Sequence, residues 1–308
     1  MPEIVITEFM DEAAIQASFA GRDVLYDPKL VDDPARLVAS LREARALIVR
    51  NRTQVRGALL ESAVRLEVVG RLGVGLDNID VRACEARGIA VYPATGANDL
   101  SVAEYVITAA LMLLRRAWFA SARVAAGEWP RTESMGRELA GKRLGLVGYG
   151  AIARVTGRMA RDLGMTVATY DPLLPEDHPA WAGALRQALP DLLSKSDVVS
   201  LHVPLTDATR NMLDATAIAG MKPGAILINA ARGGVVDEAA LCASLRAGQL
   251  GGAALDVFAR EPVDATSGAQ FAGVPNLILT PHIAGVTEES NVRVSAVTAE
   301  AVARHLDA

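Results

Sequence analysis

The residues best suited to chemistry in this 308-residue sequence stand where short apolar runs end. Arg232 lies in Asn229-Ala230-Ala231-Arg232-Gly233-Gly234, Asp256 and Glu261 in Asp256-Val257-Phe258-Ala259-Arg260-Glu261-Pro262, and His282 in Thr280-Pro281-His282-Ile283-Ala284-Gly285. A guanidinium can grip a planar carboxylate through two parallel hydrogen bonds. An imidazole can exchange a proton with a reacting oxygen, and a carboxylate beside it favours its protonated form. Taken alone, His282 reads as well as a structural histidine; an arginine and a glutamate at neighbouring strand ends shift the reading to proton transfer on an anionic substrate. His202-Val203-Pro204 also closes a strand and is expected to serve a cofactor loop rather than act as acid or base. His178, in a polar loop, and His305, in the terminal stretch, are expected to be solvated bystanders. No cluster has metal-ligand spacing, so no metal is expected.

A second motif concerns a dinucleotide. The run Leu144-Gly145-Leu146-Val147 leads into Gly148-Tyr149-Gly150-Ala151-Ile152-Ala153, a GxGxxA turn followed by helix-like sequence through Leu163. Such a strand-turn-helix lets Gly148 make the tight turn, lets backbone at Gly150 approach a pyrophosphate, and offers helix N–H groups to it. Ala153 replaces the usual third glycine at the cost of one methyl at the helix–strand contact. Asp171 closes the next strand 23 residues after Gly148, near the spacing of about 20 expected for an acid that accepts from ribose hydroxyls. Its charge would repel a 2′-phosphate, which predicts NAD rather than NADP.

These residues need parallel sheets to position them. Short runs at Ile4 to Thr7, Ala46 to Val49 and Glu67 to Gly70 alternate with helical patterns at Asp11 to Phe19, Pro34 to Ala44 and Val81 to Ala86. A second series reads as strands at Leu144 to Val147, Thr166 to Tyr170, Val198 to His202, Ala225 to Asn229, Ala253 to Val257 and Leu277 to Leu279. Strand–helix alternation predicts two parallel-sheet α/β units with crossover helices. A helical segment from about Asp99 to Ala126 bridges them, with Ser101 and Glu104 at capping-box spacing. A terminal helix, Glu288 to Leu306, is expected to pack back on the first unit.

Composition limits the partners. The chain is 51% hydrophobic and 22% charged, and 31 Lys plus Arg against 36 Asp plus Glu leave a formal charge of −5, so there is no basic excess for nucleic acid. Cys84 and Cys242, in no CxxC or Cys/His pattern, are expected as inert buried thiols. No basic-then-apolar leader and no run of about 18 uncharged apolar residues is seen, which predicts a cytoplasmic location without a membrane partner. No fixed-period repeat appears.

At this point the sequence resembles the D-isomer-specific 2-hydroxyacid dehydrogenase family, most closely its phosphoglycerate dehydrogenase branch without the C-terminal regulatory domain. The resemblance is carried by Arg50-Asn51-Arg52-Thr53, Gly73-Val74-Gly75-Leu76-Asp77-Asn78-Ile79-Asp80, Ser101-Val102-Ala103-Glu104, the glycine turn with Asp171, His202 to Thr206, Asn229 to Leu241, Leu255 to Pro262, and Thr280 to Gly285. It implies that the nucleotide domain, 99–282, is inserted into a substrate domain made of 1–98 and 283–308, the two being Rossmann-like/flavodoxin-like parallel-sheet domains. It implies that Arg232 grips the substrate carboxylate and carbonyl, that His282 is the general acid/base, that Glu261 orients it and raises its pKa, and that Asp256 holds the nicotinamide carboxamide. The cofactor set is expected to include Gly148, Gly150, Ala151, Ile152, Asp171, His202, Val203, Pro204, Thr209, Ala230, Asp256 and Gly285. The substrate set is expected to include Arg50, Asn51, Arg52, Val74 and Gly75.

The expected activity is NAD-dependent interconversion of a D-type 2-hydroxy acid and its 2-oxo acid. Two cations, Arg50 and Arg52, exceed what one carboxylate needs. They predict a second substrate anion, as in 3-phosphoglycerate or (S)-sulfolactate, with Arg52 the contact and Arg50 structural. Glyoxylate or hydroxypyruvate reduction is the alternative, and an NAD-sensing corepressor-like protein a more distant one. Glutamine replaces Glu261 in the formate dehydrogenase branch, which speaks against that assignment. The apolar segment Tyr105 to Leu114 is expected inside the fold or at an interface, and the resemblance implies a homodimer joined through the nucleotide domains.

Overall fold

The computed structural model describes residues 2–308 and divides into two compact units, residues up to Asn98 with Val286–Ala308, and Asp99–Gly285. In the first, strands β1 (Ile4–Ile6), β2 (Val24–Tyr26), β3 (Ala46–Val49), β4 (Val68–Arg71) and β5 (Ala90–Pro93) form one parallel sheet in the order β2-β1-β3-β4-β5. Helices α1 (Glu12–Ser18), α2 (Pro34–Leu41), α3 (Gly57–Ser62) and α4 (Val81–Ala86) make the crossovers. Asp11, Asp33 and Asp80 each cap one of α1, α2 and α4 with a carboxylate on a first-turn N–H, satisfying a donor that the helix itself cannot. β2 and β5 have no counterpart in the sequence reading: both are short edge strands, and β2 is buried only in part, so neither shows the apolar run of a central parallel strand.

The second unit begins with α5 (Asp99–Arg115) and α6 (Ala117–Ala125). The predicted bridge is therefore two helices, broken at Arg116 in the left-handed region (φ 53°). Asp99 opens α5, so Ser101 is a buried residue within the helix rather than its cap, and the expected capping box does not form. Val106, Ile107, Ala109, Ala110, Leu113 and Leu114 are buried within this unit, where they share a core with Leu144, Leu146 and Val167.

The sheet of this unit comprises β6 (Arg143–Val147), β7 (Thr166–Tyr170), β8 (Leu185–Arg186), β9 (Val198–Leu201), β10 (Ile226–Asn229), β11 (Gly252–Leu255) and β12 (Leu277–Leu279), all parallel, in the order β12-β11-β10-β9-β6-β7-β8. The order reverses between β6 and β9, the switch point beyond whose carboxyl ends open α/β sheets bind ligands. Helices α7 (Ala151–Asp162), α8 (Leu189–Lys195), α9 (Ala215–Ala219), α10 (Glu238–Arg246) and α11 (Ala265–Gly268) complete it. The chain then returns to the first unit as α12 (Glu288–Leu306), whose Val294, Ala299, Val302 and Leu306 lie in one core with Ile4, Ile6, Ile48 and Val68. Cys84 and Cys242 are buried free thiols. No helix among the described residues is long and apolar enough to cross a membrane.

Candidate functional site

In the second unit the predicted residues sit on the loops beyond the carboxyl ends of the strands. Gly148 follows β6 with φ 87°, and a Cβ there would stand 2.5 Å from the carbonyl oxygen of His202, so this turn demands glycine both for its dihedral and for the approach of the β9 loop. Gly150 is the N-cap of α7, and a Cβ on it would meet no heavy atom within 4 Å. The turn is thus open at the start of α7, where the first-turn N–H groups of Ala151 and Ile152 have no helical partner. Ala153 is fully buried in the α7–β6 core, so its methyl is accommodated. Asp171 beyond β7 accepts the Tyr149 N–H on Oδ2 at 2.8 Å and the Leu173 N–H on Oδ1 at 2.9 Å. Each oxygen retains a lone pair for a ribose hydroxyl.

His202 follows β9, with Nε2 3.0 Å from Ser200 Oγ, and burial depresses its pKa to about 4. It is neutral at neutral pH. Val203 is partly buried and Pro204 exposed. Thr209 Oγ1 donates to the Pro204 carbonyl at 2.6 Å and accepts the Thr206 N–H at 2.8 Å, so it braces that loop. Ala230, half-buried, follows β10 in a turn pinned by Asn229, whose amide accepts from Ala231 N at 3.1 Å and donates to the Arg232 carbonyl at 2.9 Å. Gly285 closes the unit.

Arg232, Glu261 and His282 are brought together. Glu261 Oε2 lies 2.8 Å from His282 Nδ1, and Oε1 accepts the Phe258 N–H at 2.9 Å. Burial raises the Glu261 carboxyl, but the hydrogen bonds from His282 and Phe258 and the charges of His282 and Arg232 outweigh it, leaving its pKa below the ordinary value. The carboxylate is therefore ionised at neutral pH. The Arg232 turn and the Glu261 loop touch at one point: a Cβ on Gly233 would fall 1.7 Å from the Phe258 carbonyl oxygen. Glu238 of α10 supports the same loop by accepting the Ala259 N–H at 2.6 Å.

Asp256, 1% exposed, is engaged by the loop that carries His282. Its Oδ1 accepts from Thr280 Oγ1 at 2.6 Å and Ile283 N at 2.8 Å, and Oδ2 from Ala284 N at 2.8 Å. Burial pushes its pKa up against these bonds. His282 itself is held in the left-handed region (φ 57°), its N–H on the Asp256 carbonyl at 2.8 Å. Tyr105 on α5 closes the chain at 2.6 Å from Thr280 Oγ1.

The remaining predicted residues belong to the first unit. Arg50, Asn51 and Arg52 follow β3, and Val74 and Gly75 follow β4, Val74 being exposed. Arg50 is largely enclosed, with Nη2 2.5 Å from Asn291 Oδ1, and burial lowers its pKa. Arg52 is exposed and pairs with Asp32, which raises its pKa. The two other histidines have structural partners: His178 Nδ1 accepts the Ala180 N–H at 3.0 Å, and His305 Nδ1 lies 3.3 Å from the Tyr92 hydroxyl. Among the described residues, no group of three or more His, Cys, Asp or Glu could hold a metal.

Residues 107–284 match the family described as D-isomer specific 2-hydroxyacid dehydrogenase, NAD binding domain. An (S)-sulfolactate dehydrogenase of Chromohalobacter salexigens is 55% identical over 307 residues, 99% of each chain. D-3-phosphoglycerate dehydrogenase 2 of Arabidopsis thaliana is 39% identical over 98% of this chain but only 48% of its own length, so this chain spans about half of that relative. Among solved structures, the D-lactate dehydrogenase of Aquifex aeolicus complexed with NAD and lactic acid superposes with a TM-score of 0.87 at 30% identity, covering 99% of this chain and 95% of that one.

Proposed function

The chain belongs to the D-isomer-specific 2-hydroxyacid dehydrogenase family, and from that premise we propose that its substrate is a 2-hydroxy acid with a second anion at C3, (S)-sulfolactate before 3-phosphoglycerate. The enzyme is an NAD-dependent oxidoreductase acting between a 2-hydroxy and a 2-oxo acid. The observation that carries the proposed substrate is the full-length similarity to an (S)-sulfolactate dehydrogenase, combined with an exposed Arg52 on a loop fixed from beneath. The (S) descriptor fits a D-type arrangement because sulfur outranks the carboxyl group in the naming rules.

Within this reading, Arg232 grips the C1 carboxylate and polarises the C2 oxygen. Glu261 holds Nδ1 of His282, which leaves Nε2 to give a proton to that oxygen or take it back. Gly148, Gly150, Ala151 and Ile152 receive the pyrophosphate of NAD, and Asp171 its adenosine ribose. When bound, NAD supplies or accepts the hydride at C2. Arg52 meets the C3 anion, and Arg50 is structural.

The test is NADH oxidation with 3-sulfo- and 3-phospho-substituted 2-oxo acids beside glyoxylate and pyruvate, with the Arg52→Ala variant in parallel. Losing one charge-assisted contact should lower kcat/KM by about 1.5 to 3 kcal/mol, roughly 10- to 150-fold, only for the doubly anionic substrates. Equal loss on all substrates, or none, refutes the reading. A glyoxylate or hydroxypyruvate reductase is the second reading, favoured by Asp32, which already occupies the Arg52 guanidinium. Turnover with any substrate excludes a pure NAD sensor.

We also assign a homodimer and a reducing, cytoplasmic setting. The dimer is supported by α6, which buries no residue of its own within the unit and exposes Trp118 at 60%, and by Trp129, beyond the end of α6, exposed at 81%. Apolar surface of this kind marks interfaces. The setting is supported by two buried free cysteines. Light scattering at micromolar concentration should give twice the chain mass.

A further inference from the structure

The loop that carries Arg52 is built around a buried anion. Glu8, just beyond β1, is 4% exposed. Its Oε1 accepts the N–H groups of Arg50 at 2.9 Å and Thr53 at 3.0 Å, and its Oε2 those of Asn51 at 3.3 Å and Arg52 at 3.1 Å. Four consecutive peptide groups therefore point at one carboxylate. Asn78, 5% exposed, fastens the same loop by its carbonyls, donating Nδ2 to Thr53 O at 2.7 Å and Arg50 O at 3.3 Å. Thr7 Oγ1 adds a contact to Thr53 Oγ1 at 2.8 Å.

A buried carboxylate is costly unless its oxygens are satisfied. Here the satisfaction comes from main-chain dipoles arranged as an anion-binding concavity. The buried carboxylate and the loop conformation sustain each other, and neither survives the loss of the other unchanged. The Cα of Arg52 is thereby fixed while its guanidinium stays exposed, a rigid base for a side chain with one exposed partner, Asp32.

We propose that Glu8 is the positioning residue for recognition of the substrate's second anion: it acts through the backbone of residues 50–53 and touches no substrate itself. This inference rests on the reading that Arg52 meets that anion. It explains why an acid, which would repel a dianionic ligand on the surface, is buried under this loop: its oxygens are taken up by peptide N–H groups and fix the backbone that carries Arg52.

The test is Glu8→Gln, which keeps the size but turns one oxygen into an NH2 group facing two peptide N–H donors. We expect kcat/KM for 3-sulfo- and 3-phospho-substituted 2-oxo acids to fall about 10-fold or more, chiefly through KM. Glyoxylate turnover and NADH affinity should change less than about two-fold on the same argument. Glu8→Asp, which retains the charge on a shorter stem, should show a smaller loss of the same selectivity, and it carries the test if Glu8→Gln does not fold. In an Arg52→Ala background Glu8→Gln should add nothing, because the two act in series. Hydrogen exchange at the amides of 50–53 should quicken in Glu8→Gln. A loss shared by all substrates, additivity with Arg52→Ala, or unchanged exchange overturns the role of Glu8. A non-selective Arg52→Ala instead overturns the doubly anionic substrate, so the two failures are told apart.

Discussion

Nδ1 of His282 lies 2.8 Å from Oε2 of Glu261, and Oε1 of the same carboxylate is held by the Phe258 N–H. Because an ionised carboxylate can only accept, Nδ1 must carry the proton in both charge states of the ring. The proton that can be exchanged is therefore the one on Nε2. The pair also has a defined place: Phe258 orients Glu261, and Asp256 orients the backbone on both sides of His282.

Replacing His282 by Ala should lower kcat by about 100-fold or more, the usual scale of acid/base catalysis, with NADH binding retained. Glu261→Gln separates placement from charge, since the amide oxygen can still accept from Nδ1. With the charge gone and the hydrogen bond kept, kcat should fall about 10-fold or more while NADH binding is retained. A Glu261→Gln variant with parental kcat would refute this.

Asp171 should set cofactor choice. Its two peptide hydrogen bonds fix an acid at the end of β7, where a 2′-phosphate would bring like charge. The parent should favour NADH over NADPH by about 10-fold or more in kcat/KM, and Asp171→Ala should narrow that ratio mainly by improving NADPH. Equal kcat/KM with the two cofactors in the parent would be decisive against it.

What the sequence makes visible here is local. β7 and β12 are readable to the residue because a central or well-flanked apolar run and its turn lie within one short window. The glycine turn, Asp171 and the Arg232, Glu261 and His282 loops are readable because parallel strands place their ends together by rule. Glu8 leaves no such trace. Its four donors lie 42 to 45 residues away, and only the pairing of β1 with β3 brings them to it. The break at Arg116 is invisible for another reason: Leu114, Arg115 and Arg116 are all good helix formers, so the local sequence carries no stop signal. Nor does the sequence show that Asp256, which the resemblance implies holds the nicotinamide carboxamide, takes three donors from the loop that carries His282.

Those donors make Thr280 a support of the catalytic loop. Asp256 accepts, so Thr280 Oγ1 must donate to it, and Tyr105, whose hydroxyl burial pushes up to about 12, must donate to Thr280. Thr280→Val removes both links at nearly constant volume. It should destabilise the protein by about 1 to 3 kcal/mol, the cost of an abandoned buried acceptor. It should also lower kcat with little change in KM for NADH. Thr280→Ser should recover most of both, and a valine variant with parental kcat would remove Thr280 from the support of His282.

The last expectation concerns stability and pH. Burial lowers the His202 pKa from 6.5 to about 4 in the folded chain, so between these values the unfolded chain binds the proton that the folded chain refuses. Stability contributed by neutral His202 is complete above the unfolded value and is lost as pH falls towards the folded one. By pH 5 the loss should reach about 2 kcal/mol. Urea midpoints of the cofactor-free protein at pH 7 and pH 5 measure it, with His202→Asn as a reference that cannot titrate. The parent should lose more stability than the variant on acidification by roughly that amount. Parallel losses would mean that His202 is protonated in the folded protein at pH 5.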